Sequence, residues 1–78
     1  MKEMNDNINH PHRYTKGSIE CIDAIESATV DLNGIEAFCT GNVIKYVWRW
    51  KEKEQIDSLK KARWYLNHLI DHLESKNE

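Results

Sequence analysis

The sequence predicts an all-α fold, a small three-helix domain whose helices pack into a homo-oligomer. Three observations carry this. Leu59, Ala62, Leu66, Leu69 and Leu73, with Ile70 beside them, recur at alternating three- and four-residue steps, the spacing of one helix face. The segment from Ile35 to Lys51 is apolar on more than one side. The chain has 78 residues, one domain over 1–78. A chain that short buries only about 60% of its unfolded surface when it folds alone.

Taken in order, residues 1–9 are polar and are expected to fray, as are residues 75–78. Residues 10–17 (HPHRYTKG) read as a loop around Pro11, the single proline. Ser18 suits an N-cap and Glu20 a first turn, so a first helix is expected from about Ile19 to Thr29, with Ile19, Cys21, Ile22 and Ile25 on its apolar face. Asp31 to Gly34 reads as a turn.

A second helix is expected from about Ile35 to Lys51. Ile35, Phe38, Val43, Tyr46, Val47 and Trp50 make one broad apolar face, and Ala37, Gly41, Ile44 and Trp48 a second stripe. A helix apolar nearly all round is buried nearly all round. Two further helices are too few to wrap it completely, which is the reason for expecting subunit association. Gly41 costs about 1 kcal/mol relative to alanine inside a helix, so a kink or a close approach is expected there. Lys51 to Gln55 form a charged connector, and Asp57 or Ser58 caps a third helix running to about Glu74. On that helix Trp64 falls on the polar side, near Lys60, Lys61 and His68.

Composition excludes several classes. A net charge of −2 argues against a general nucleic-acid binder. No run of apolar residues is long enough to span a membrane, and the polar start lacks an apolar signal region. The cytoplasm is the expected location. Cys21 and Cys39 lie in apolar helical segments and are expected to be buried free thiols, an inter-helix disulfide or metal role being the alternative.

Chemistry is expected on a polar stripe of the second helix. Asn42, Lys45, Arg49 and Lys53 are spaced three, four and four, flanked by Phe38 and Tyr46. Cations beside aromatic rings suit a ligand with phosphates and a flat base. As surface cations, Lys45 and Arg49 would matter for a ligand and little for stability. The loop carrying His10, His12, Arg13, Tyr14 and Lys16 leads into a helix N-terminus, which is receptive to anions. His10 and His12 could hold a metal, but no cysteine or carboxylate completes a zinc spacing. Glu20 and Asp23, three apart, are the candidate Mg²⁺ pair if the chemistry needs one. No phosphate loop and no G-x-G-x-x-G is present.

The runs HPHRY–KGSIECIDAIE, CTGNVIKYVWRWKEK and DSLKKARWYLNHLI resemble the SaV-like family of small phage proteins, over about residues 9–73. Its pattern reads roughly H-P-x-H-Y, G-x-I-E-x-I-D, G-N-x-I-K-Y-x-x-R and D-L-K-K-A-x-W-Y-L. Three departures stand out: Arg13 where histidine is frequent, Asp57-Ser58-Leu59 in place of Asp-Leu, and a connector without its glycine. The resemblance implies a phage accessory protein in a host cytoplasm, acting on small nucleotides. Two functions follow from it. One is a sponge that sequesters nucleotide immune signals and needs no cofactor. The other is a nucleoside monophosphate kinase, which would use ATP and Mg²⁺. The residues favour binding over catalysis, and nucleic-acid binding comes third.

Overall fold

The computed structural model describes residues 17–76, which form three helices and no strand. They are α1 (Cys21–Thr29), α2 (Gly34–Arg49) and α3 (Ile56–Lys76). Residues 1–16, including the loop with Pro11 and the expected frayed arm, lie outside the described residues.

Helix α1 begins two residues later than the capping signal suggests. Glu20, not Ser18, is the extended cap residue, and its carbonyl accepts from the amides of Asp23 (3.1 Å) and Ala24 (3.2 Å). Ser18 and Ile19 are left outside the helix and exposed. The expected apolar face shrinks accordingly: Cys21 is buried and Ile25 half-buried, while Ile19 and Ile22 face outward. At the other end the Thr29 hydroxyl donates to the Ile25 carbonyl at 2.8 Å, closing the last turn. The turn then ends at Gly34, whose φ of 56° is one that glycine adopts at no steric cost.

Helix α2 runs without a break through Gly41 and stops at Arg49, two residues earlier than expected. The glycine serves a close approach. A Cβ on Gly41 would lie 3.2 Å from Cγ2 of Ile25, closer than an ordinary van der Waals contact, so a side chain there would require Ile25 to give way slightly. Helix α3 starts at Ile56, just before the expected caps. Ser58 is fully buried, and its hydroxyl donates to the Lys53 carbonyl, tying the connector down.

The connectivity makes two hairpins that share α2. Helix α3 returns antiparallel to α2, with Lys76 reaching Glu36 at 3.8 Å near the far end. Among the described helices, α1 packs against α2 and does not touch α3. The two apolar stripes of α2 are covered in part within one chain: the Gly41 stripe meets α1, and Phe38 and Tyr46 meet Tyr65 of α3, while Phe38, Val47 and Trp50 remain exposed. The buried apolar set among the described residues is only Cys21, Cys39 and Ala62. Both cysteines are free thiols, as expected. Burial pushes the Cys21 thiol up, with the nearby Lys45 charge pulling the other way. The radius of gyration, 14.4 Å, exceeds the roughly 11–12 Å of a compact chain this long.

The Gly41 contact is measurable. Alanine in place of a mid-helix glycine contributes about 1 kcal/mol of helix propensity. In the native background that gain is offset because Ile25 must move. In an Ile25→Ala background, Gly41→Ala should deliver the full amount. Urea unfolding of the four chains measures the coupling, and equal effects in both backgrounds would show that Ile25 does not sense position 41.

Candidate functional site

The hairpin of α2 and α3 gathers aromatic rings and cations around Tyr46. The Tyr46 ring stacks on Tyr65 of α3, centroids 5.9 Å apart and planes 12° apart. Phe38, two turns earlier on α2, meets the edge of Tyr65 at 5.7 Å. Three cations surround the Tyr46 ring. The Arg49 guanidinium carbon lies 4.5 Å from its centroid, Lys45 Nζ 4.6 Å and Lys61 Nζ 5.6 Å. Such contacts are worth about 0.5–1 kcal/mol each where water reaches them. Trp64 extends the aromatic surface, edge-on to Tyr65 at 5.0 Å and stacked on His68 at 5.2 Å.

One anion sits among these cations. Glu54, in the connector, accepts from Arg49 Nη2 at 3.3 Å and from Lys61 Nζ at 2.8 Å, both on the same carboxylate oxygen. The Lys61 hydrogen bond, with the charges of Lys61, Arg49 and Lys53, holds its pKa below the ordinary value, and Lys61 is pushed up by the same bond. To reach this place the backbone takes a conformation that side chains disfavour. Glu54 has φ 64° and Gln55 φ 41°. The connector without glycine therefore carries two consecutive left-handed residues, at a cost of roughly 1–2 kcal/mol each.

The expected stripe is altered in three ways. Arg49 is not a surface cation: it is 7% exposed and bonded to Glu54. Its replacement therefore bears on the fold, contrary to the expectation from the sequence. Asn42 turns its amide to the Phe38 carbonyl at 2.9 Å. Lys53 leaves the stripe because α2 has ended, and its amide bonds back to the Arg49 carbonyl at 3.0 Å. Lys45 and Tyr46 remain half-buried beside one another. The Lys45 charge is felt at Cys21, which brings the first turn of α1 to this side of the hairpin. Asp23 is exposed there and Glu20 half-buried. His10, His12, Arg13, Tyr14 and Lys16 lie outside the described residues. Among the described residues no group of three His, Cys, Asp or Glu side chains is arranged to hold a metal ion.

Sequence reasoning missed Glu54, Lys61 and Tyr65. Tyr65 was recoverable, because Ser58, Ala62, Tyr65 and Leu69 share one helix face with buried or half-buried members. The Glu54 bridge was not, since it depends on the left-handed connector.

Two predictions follow from this geometry. Gln55→Gly relieves a strained residue whose side chain makes only a 3.5 Å contact to the Lys51 carbonyl, so it should stabilise by up to about 1 kcal/mol. Glu54→Gly relieves similar strain yet removes the counter-charge of a buried guanidinium, so it should destabilise; thermal melts of both variants test the contrast. The second concerns acid. The folded pKa of Glu54 is lowered, so its stabilisation is complete above the unfolded value near 4 and is lost as pH falls through the folded one. Glu54→Gln should flatten the acid limb of the stability curve below the ordinary carboxylate value. An unchanged limb would place the acid response elsewhere.

No curated protein and no solved structure matches the chain. One family model does, over residues 8–67, which span the Pro11 loop, α1, α2 and the half of α3 that carries Lys61 and Tyr65. The chain therefore belongs to DUF3310, a family described as of unknown function.

Proposed function

We propose that this protein binds a small phosphorylated nucleotide at the Tyr46 cluster and holds it without transforming it, as a sponge for nucleotide signals. The observation that supports this reading is a stacked tyrosine ring with three cations within 6 Å of its centroid. Rings offer a base a stacking surface, and lysine and arginine offer phosphate both a mobile charge and a planar fork. Glu54 occupies the position between Arg49 and Lys61 that a phosphate oxygen would take. A ligand would compete with that carboxylate, and Lys61, on the exposed side of the bridge, would be the first to exchange it. The resemblance to phage proteins adds the expectation that the ligand is an immune signal, met in a host cytoplasm.

The loop with His10, His12, Arg13, Tyr14 and Lys16 would contribute further cations to the ligand. Phosphoryl transfer to a nucleoside monophosphate, with ATP, Mg²⁺ and the pair Glu20 and Asp23, is the other activity the resemblance implied. No feature around Tyr46 adds a reason for it, whereas each group there has a role in binding.

Titration calorimetry against nucleoside mono-, di- and triphosphates, cyclic dinucleotides and ADP-ribose derivatives tests the reading. One of these classes should bind. Lys45→Ala should then weaken it by roughly tenfold or more, the worth of one charge-assisted hydrogen bond. The exposed Lys51→Ala, on the connector, should not. Glu54→Gln should tighten binding by removing the competing carboxylate. A flat response across the whole panel would end the proposal, as would binding indifferent to Lys45→Ala.

A further inference from the structure

Helix α3 has a second helical stripe that nothing among the described residues covers. Its first face, Ser58, Ala62, Tyr65, Leu69 and His72, contains every buried or half-buried residue of the helix and lies against α2. About 100° around the helix, Leu59, Arg63, Leu66, Ile70 and Leu73 repeat at steps of four, three, four and three, the spacing of a coiled-coil seam. Its four apolar members are 37–46% exposed. Helix α1, the only other helix described, does not reach α3.

We propose that this stripe is the seat of a second copy of the chain, with the two α3 helices antiparallel about a two-fold axis near His68. The pattern selects both the occupant and the direction. In a parallel pair each stripe position meets itself, and Arg63 would face Arg63 of the second copy inside the seam. In the antiparallel pair Ile70 packs on Leu66 of the second copy, and Leu66 on its Ile70. Arg63 then meets Leu73 at the seam's end, where its long side chain reaches water. The residues flanking the seam agree. In this register Lys60 falls beside Glu74 of the second copy, once on each side of the axis, and Asn67 beside its own counterpart. A two-fold pair must be self-complementary in this sense, residue i on j and j on i. The Lys60–Glu74 match is a charge complementarity that the parallel arrangement lacks.

This surface is separate from the nucleotide site. Lys61, Trp64 and His68 lie on the opposite flank of the α2-facing side of α3, so a pair would carry two clusters, both open. The inference stands whether or not a nucleotide binds.

The test uses the full chain and light scattering coupled to size exclusion, at tens of micromolar. The native chain should run at no less than twice 9.2 kDa. Lys60→Glu or Glu74→Lys each turn two attractive pairs into repulsive ones and should weaken association by about tenfold. The double swap, Lys60→Glu with Glu74→Lys, should restore it. Lys60 and Glu74 are exposed, so the fold tolerates these changes. Direction is read separately by Asn67→Cys. The native Cys21 and Cys39 are buried, so the new thiol alone should oxidise to a covalent pair. A mass of 9.2 kDa for the native chain overturns the proposal. So does failure of the double swap to recover what the single swaps lose, or an Asn67→Cys chain that associates without cross-linking.

Discussion

A guanidinium that is 7% exposed requires a counter-charge, and for Arg49 that charge comes from five residues further along the chain. This one requirement sets much of the structure. Arg49 is the last residue of α2, and Glu54 of the connector accepts from it. Glu54 reaches it with the backbone turning through left-handed φ at Glu54 and Gln55. That turn sends α3 back along α2 and lays Tyr65 on Tyr46. Lys61, one turn into α3, then finds the same carboxylate oxygen. The pair is buried on one side only: the guanidinium is withdrawn from water, while the Glu54 carboxylate stays a third exposed at the mouth of the hairpin. The aromatic and cationic groups around Tyr46 are thus held by the element that also closes the hairpin. Strain at such a place is the mark of a position fixed by its surroundings.

The rest of the fold is sparing. Among the described residues, with α2 shared by two helices that do not meet, no closed three-helix core forms, and few side chains are wholly removed from water. Apolar surface remains in quantity on the outer side of α3, where its spacing is regular, and more diffusely on α1 and at Phe38, Val47 and Trp50 of α2. Scattered exposed leucines are ordinary on small proteins; a stripe repeated over four turns is not.

Much of this was legible in the residues. The three helices, the turn ending at Gly34 and the connector before α3 follow from periodicity and turn chemistry, and each lies where the pattern put it to within two or three residues. Gly41 was readable as a close approach because a mid-helix glycine has a cost without a local benefit. The start of α1 was misjudged because Ser18 satisfies a capping rule that the extended Glu20 overrides. The direction of the apolar stripes of α2 was visible, while their partners were not: periodicity tells that a face is covered, not by what. The site was half legible. Lys45, Tyr46 and Arg49 share a helix side by spacing alone, but the burial of Arg49 depends on Glu54, and no local rule places two left-handed residues in a stretch without glycine.

The glycine-width contact between α1 and α2 also grades the molecule's stability. Nine residues are too few to stay helical in water, so α1 keeps its shape only while it is docked. Among the described helices its docking surface is α2 alone, whereas α2 and α3 hold each other through stacked rings and the Glu54 bridge. Such a segment opens as a unit, well before the hairpin does, and its amides should exchange with solvent as one group. Each opening also uncovers the thiol of Cys21, inert while buried, so that residue is a natural clock for a motion that leaves the remainder of the protein folded.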